Sequence, residues 1–119
     1  MNKRTKGNMA EDTAARYLEN KGHKILEKNF YCKFGEVDII SISPSRELVF
    51  TEVKFRRSGM SGDPLEAVTP LKQKKICRSS LYFISKNPEY SELQIRYDVI
   101  GIRNAHEITH IENAFGYDW

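Results

Sequence analysis

At 119 residues, 39% hydrophobic, 11% aromatic and 29% charged, the chain has the composition of a folded globular protein, and its length predicts a single domain spanning residues 1–119. The net charge of +3 is too small to name a partner by itself. No apolar run is long enough to cross a bilayer, no apolar stretch follows the basic start MNKRTKGNMAEDTA, and Cys32 and Cys77 lack metal or redox spacing, so the expectation is a cytoplasmic protein with no membrane partner.

Residues 6–20 read as a helix stopped by Gly22. Met9, Ala10, Thr13, Ala14, Tyr17 and Leu18 supply its apolar or small positions. Glu11 falls in an overlapping stripe with Ala14, Ala15 and Leu18. A carboxylate there is either a favourable acid near a helix start or a side chain held on the packing face, and spacing leaves both readings open. His23 follows at a junction, where a surface position is expected. KILEKNFY (24–31) predicts a strand, with Ile25, Glu27 and Asn29 alternating against Leu26, Lys28 and Phe30.

The next stretch, GEVDIISISPSRELVFTEVKFRR (35–57), reads as two strands joined by the loop-forming SPSRE. Alternation puts Glu36, Asp38, Ile40 and Ile42 on one face and Val37, Ile39 and Ser41 on the other. On the second strand Leu48, Phe50, Glu52 and Lys54 share a face. A turn centred on Ser45 places residues whose numbers sum to 90 opposite each other. Asp38 then faces Glu52, and Glu36 faces Lys54, with Cβ atoms roughly 5 Å apart. Carboxylates that close repel by about 3 kcal/mol at an effective dielectric of about 20. A divalent cation would offset this, because Mg²⁺ binds through one or two carboxylates together with water and phosphate. Such an ion polarises a phosphoryl oxygen and activates water, and a neighbouring lysine can orient that water. The carbonyl of Val53 is a further candidate oxygen ligand. Ordinary cross-strand ion pairs are the competing reading, and spacing does not choose between them.

After the loop SGMSGD, Thr69-Pro70 starts a second helix that runs to Ser85 or Lys86, ahead of Asn87-Pro88. Its predicted buried stripe is Ile76, Cys77, Ser80, Leu81, Phe83 and Ile84. Lys72 and Lys75 share a face on its first turns, with Gln73 beside them. LQIRYDVIGIR (93–103) and EITHIENAF (107–115) read as two strands paired through Asn104-Ala105-His106. The order helix-strand-strand-strand-helix-strand-strand predicts an α/β domain, a small mixed sheet flanked by helices. Positive charge gathers at Lys54, Arg56, Arg57, Lys72, Lys74, Lys75 and Arg78. That suits a phosphate-contacting surface and equally a solvated helix face. Asp98 reads as a structural partner of Arg96 as readily as a site residue. His110 and Asn113 read as capping or packing residues, and Tyr117 and Trp119 as a docked tail.

Asp38 followed by Glu52-Val53-Lys54, within this element order, resembles the PD-(D/E)xK nuclease superfamily and its restriction-endonuclease-like fold. GNMAEDTAARYLENKGHKILEKNF, GEVDII, LVFTEVKFR, PLEAVTPLKQKKI, RYDVIGI and IENAF cover nearly the whole chain and resemble, in that order, the YraN family of small bacterial proteins. That family is described as endonucleases or nucleic-acid-binding proteins similar to archaeal Holliday-junction resolvases. The resemblance implies Asp38 and Glu52 as metal-binding acids, Lys54 as the catalytic lysine and Glu11 as a helix-borne acid reaching the metal. It also implies Lys72 and Gln73 as polar residues facing the site or the phosphate. Val37 stands where the superfamily's name has proline.

The expected function is therefore a metal-dependent endonuclease that hydrolyses phosphodiester bonds of DNA, on branched or otherwise structured substrates. One or two Mg²⁺ or Mn²⁺ ions would sit on Asp38, Glu52, Val53 and Glu11, and Arg56, Arg57, Lys72, Gln73 and Lys75 would contact nucleic acid. The alternative is a module on the same fold that binds nucleic acid or a protein without cutting. Loss of an acid or of the lysine would favour that alternative, and all of them are present. A homodimer would suit symmetric cutting of two strands, although no seam in the sequence identifies one.

Overall fold

The computed structural model describes residues 6–56, 63–104 and 107–116. Helix α1 (Lys6–Asn20) precedes three strands, β1 (Lys24–Cys32), β2 (Gly35–Ile42) and β3 (Glu47–Arg56). Helix α2 (Pro70–Lys86) and strands β4 (Gln94–Arg103) and β5 (Glu107–Phe115) complete the order. The five strands form one sheet in the order β1-β2-β3-β4-β5. Neighbouring strands are antiparallel except β3 and β4, which run parallel. A parallel pair needs a crossover, and α2 lies in that connection. The architecture is the expected α/β one, with the element order the restriction-endonuclease-like resemblance implies. Short 3₁₀ turns at Pro64–Ala67 and Pro88–Tyr90 flank α2.

Each helix covers its own cluster. Ala10, Ala14, Ala15 and Leu18 of α1 pack with Ile39, Val53, Ile100 and Ile102. Ile76, Cys77 and Phe83 of α2 pack with Val37, Ile40, Leu48, Phe50, Tyr97 and Val99. Along β4, residues 97 and 99 belong to one cluster and 100 and 102 to the other, which is what the period of two requires. The buried stripe of α1 is the one that contains Glu11; Met9 is 55% exposed, so the packing face is turned towards Glu11. Gly22 ends the helix at φ 95°, and a Cβ there would lie 2.8 Å from Pro44 Cγ.

Thr69 caps α2 by accepting from the Lys72 N–H at 3.2 Å, with Pro70 at the first helical position. The predicted stripe on α2 needs one correction. Leu81 is 44% exposed and Ser79 is fully buried. The β1–β2 turn lies over Ser79, whose hydroxyl accepts from Cys32 Sγ at 3.4 Å.

The β2–β3 register follows the sum of 90 from Ile42↔Leu48 to Ile39↔Thr51, and the ladder ends there. Asp38 is thus not hydrogen-bonded opposite Glu52, nor Glu36 opposite Lys54; Glu36 pairs with Tyr31 across β1. Alternation also breaks at this point. Val37 joins the α2-side cluster although Ile39 joins the α1-side cluster, two residues on. The change of side falls at Asp38 and, on β1, at Asn29, between the pairs Lys28↔Ile39 and Phe30↔Val37. Asn29 takes φ 56°, a left-handed conformation that asparagine tolerates better than most residues.

The start of β4 carries a second polar group. Asp98 is fully buried and accepts from Arg96 Nε and Nη2, both at 3.0 Å, and from the Asn113 N–H at 3.0 Å. Its Oδ2 lies 2.7 Å from His110 Nε2, and Tyr17 Oη lies 3.1 Å from His110 Nδ1. Burial alone would raise the Asp98 carboxyl, but the bonds from His110, Arg96 and Asn113 outweigh it and hold the carboxyl below its usual range. These bonds tie α1, β4 and β5 together, so the structural reading of Asp98 holds. His23 is a correction: it is buried, with Nδ1 2.9 Å from Ser41 Oγ. Burial, then the Arg96 charge, pushes the His23 ring down.

Candidate metal and phosphate site

Where the β2–β3 ladder stops, the side chain of Asp38 takes the place of a backbone acceptor. Its Oδ2 accepts from the Val53 N–H at 2.8 Å, and Asp38 is only 7% exposed. One fork of the carboxylate is thereby fixed across the gap between the strands. The side switch at Asp38 brings it to α1, where Glu11, Glu36 and Asp38 each place a carboxylate oxygen within 4.8 Å of the others. Glu11 has no place among first-turn acids of α1, so a favourable dipole is not what holds it.

Glu52 approaches from the other side. It is 4% exposed, and its Oε2 lies 3.5 Å from Lys54 Nζ and 3.7 Å from Lys72 Nζ. The two lysines come from β3 and from the first turn of α2, so the crossover helix contributes directly to the acid group.

Burial raises the Glu52 carboxyl to about 8, with the Asp38 charge adding to it and Lys72 and Lys54 pulling the other way. Burial likewise raises Glu11 to about 7, with the Asp38 and Glu36 charges adding. The Glu36 charge pushes the exposed Tyr31 phenol up. Two buried carboxylate oxygens, Glu11 Oε1 and Glu52 Oε1, have no hydrogen-bond partner. Buried polar atoms are normally satisfied, and a hard divalent cation is the ligand that suits clustered carboxylate oxygens. The donor set therefore suits a hard divalent cation, and the Glu11, Glu36 and Asp38 cluster could hold one.

The sequence-predicted residues divide accordingly. Glu11, Asp38, Glu52, Val53, Lys54 and Lys72 come together. Gln73 lies beside them, half-buried, but its Nε2 donates to the Val68 carbonyl at 3.0 Å. Lys75 is exposed one turn along α2 from Lys72. Arg56 donates from Nη2 to the Asp63 carbonyl at 2.9 Å. Arg57, His106, Tyr117 and Trp119 lie outside the described residues. Glu36 is the residue that sequence reasoning placed wrongly, as a partner of Lys54. Its membership of the acid cluster depends on the kink at Asp38, which no periodic pattern signals.

Fold and site together define an α/β protein with an acid cluster and two lysines at a break in its sheet, a cluster that could hold a metal. Residues 10–102 match the family described as Uncharacterised protein family UPF0102. The chain is 44% identical over 117 residues to a UPF0102 protein of Pelobacter propionicus, covering 94% of this chain and 83% of that one. Its identity to a UPF0102 protein of Caldanaerobacter subterraneus is 43% over 122 residues, covering 97% and 98%. A UPF0102 protein of Coxiella burnetii is 38% identical over 110 residues, covering 92% and 91%. The chain belongs to the UPF0102 family, the YraN family of the resemblance. Among solved structures, a chain of the EndoMS–dsDNA2 complex is similar over 87% of this chain and 37% of its own length, at 23% identity and a TM-score of 0.38. That likeness is too partial to bear on activity. Among the described residues, no helix is long and apolar enough to cross a membrane.

Proposed function

We propose that the chain is a divalent-metal-dependent nuclease that hydrolyses phosphodiester bonds of DNA, with a preference for branched or otherwise structured substrates. The observation that carries this reading is the pair of buried, partnerless carboxylate oxygens of Glu11 and Glu52, on either side of an Asp38 that is locked to β3. Burial and mutual repulsion disfavour charge on Glu11 and Glu52, Lys54 and Lys72 offset it only at Glu52, and a divalent cation would relieve the rest. Asp38, Glu11 and Glu52 would hold Mg²⁺ or Mn²⁺, with Glu36 as a fourth acid. When bound, the ion supplies polarisation of a phosphoryl oxygen and a lowered pKa for water.

The chain's own residues do the positioning. Asp38 is fixed by its bond from the Val53 N–H. Within a strand the N–H and C=O of one residue point to the same side, so the Val53 carbonyl is turned towards the same gap. Lys54 is the candidate to orient the attacking water, since its ammonium stands 3.5 Å from the Glu52 carboxylate at the edge of the acid group. Lys72, on α2, brings a second positive charge to the same Glu52 carboxylate and would contact a phosphate bound at the acid group. Arg56, Lys75 and Gln73 are assigned to more distant nucleic-acid contacts.

The test is a panel of end-labelled DNAs (linear duplex, single strand, flap and four-way junction) with Mg²⁺ or Mn²⁺, comparing wild type with Lys54→Ala and Glu52→Ala. Cutting of at least one substrate by wild type, lost in both variants and in EDTA, is the expected result. Equal cutting by wild type and variants sinks the assignment.

A further inference from the structure

Beyond the acid site, α2 carries Lys72, Lys74, Lys75, Arg78 and Lys86 and no acidic residue. Offsets of three, seven, ten and fourteen place Lys72, Lys75, Ser79, Tyr82 and Lys86 on one helical face. That face starts at the acid site, because Lys72 Nζ lies 3.7 Å from Glu52 Oε2. Midway along, the β1–β2 turn crosses it. Cys32 bonds Ser79, and a Cβ on Gly35 would be in contact with the Lys75 side chain at 3.5 Å. The turn thereby delivers Lys33 and Phe34 to the same ridge, with the Phe34 ring centroid 6.2 Å from that of Tyr82, edge-on.

The two rings are covered in an unusual way. Lys33 Nζ sits 5.2 Å from the Phe34 centroid, and Lys86 Nζ sits 5.5 Å from the Tyr82 centroid. Both lysines are exposed. One face of each ring is therefore held by a surface lysine rather than by the core. A nucleobase can take the lysine's place over the ring, and the released ammonium is then near the phosphates flanking that base. Cationic groups interleaved with aromatic faces are what a single strand needs, whereas a duplex hides its base faces and uses only the charges.

Resting on the nuclease reading, we propose that the ridge from Lys72 and Lys75 to Phe34, Tyr82, Lys33 and Lys86 binds a single-stranded nucleic-acid segment leading away from the acid site. The substrate class is then a nucleic acid with an unpaired arm next to the bond that is cut. Contacts of this kind recognise backbone and base faces, so little sequence preference accompanies them.

Fluorescence anisotropy in EDTA, with dye-labelled oligo-dT and a duplex of equal length, tests this without cleavage. In the double variant Phe34→Leu/Tyr82→Leu the affinity for the strand should fall about tenfold or more, with duplex affinity unchanged. In Lys33→Gln/Lys86→Gln, whose changes are confined to the surface, the slope of log K against log salt for the strand should shrink by about 0.7 per lysine. Equal losses for strand and duplex, or an unchanged salt slope, overturn the proposal. So does competition by polyglutamate as effective as that by unlabelled oligo-dT, which would mark a general anion surface. Wild type that binds neither DNA overturns this proposal and the nuclease reading together. Wild type that binds both, with both variants unimpaired, overturns the ridge alone.

Discussion

Replacing Glu52 by glutamine should stabilise the metal-free protein near pH 8 and leave it nearly unchanged near pH 4.5. In the folded chain the Glu52 carboxyl is raised from 4.5 to about 8, chiefly by burial and then by the Asp38 charge. With a raised folded pKa, stability is fully present below the unfolded value and is lost as pH rises towards the folded one. Between those limits folding takes up a proton, and above them a charged group is held where it is disfavoured. At 1.36 kcal/mol per pH unit the full window is worth on the order of 5 kcal/mol. Glu52 is 4% exposed, so solvent screens little of this. The substituted amide keeps the shape, removes the charge, and forgoes the ionic contacts that Glu52 makes with Lys54 and Lys72 at 3.5 and 3.7 Å. Those contacts already lower the value of about 8, so no further loss is subtracted, and a gain on the order of 4 kcal/mol near pH 8 should raise Tm on the order of 15 °C. Calorimetric melting in EDTA across the window measures it. Addition of Mn²⁺ near pH 8 should raise the wild-type Tm and move that of the variant much less. A variant no more stable than wild type near pH 8, or a gap that does not close towards pH 4.5, refutes the reasoning.

Lys54→Met should lower single-turnover cleavage by about 100-fold or more while DNA affinity in EDTA stays nearly unchanged, because the contact it removes is with Glu52 inside the acid group. Asp98→Ala should cost about 3–5 kcal/mol in urea unfolding, since it strips a fully buried acid from Arg96, His110 and Asn113. The Asp98 carboxyl is held low, so its contribution is present above the ordinary carboxylate pKa and is lost as pH falls through the folded value; Asp98→Asn should flatten the acid limb of the stability curve. Gly101→Ala should destabilise by about 1–3 kcal/mol, because the new Cβ would lie 2.5 Å from Pro64 Cγ, whereas Gly116→Ala, with nothing within 4 Å, should be neutral.

The helices were legible because their boundaries are written in local chemistry. Gly22 closes α1, and Thr69-Pro70 opens α2 where the cap forms. The β2–β3 register was legible over residues 39–42 because the polar turn fixes it. What lay beyond was not. Periodic reading assumes an unbroken strand, whereas Asn29 at φ 56° and the side switch at Asp38 turn Asp38 and Glu36 towards α1. Glu36 therefore read as an ion-pair partner of Lys54, and the Asp38–Val53 bond that replaces the ladder had no counterpart in the pattern. His23 read as a surface residue because its partner, Ser41, lies eighteen positions away on β2. Glu11 shows the intermediate case. Its stripe was visible, but the tertiary approach of Asp38 and Glu36 to it was not.

Calorimetric titration of Mn²⁺ near pH 8 tests the acid cluster most directly. Wild type should take up the ion, with binding abolished in Asp38→Asn and weakened in Glu11→Gln, since one acid is central to the cluster and the other supplies a buried oxygen without a partner. Wild type that takes up no Mn²⁺, or an Asp38→Asn variant that binds it as tightly as wild type, contradicts the account.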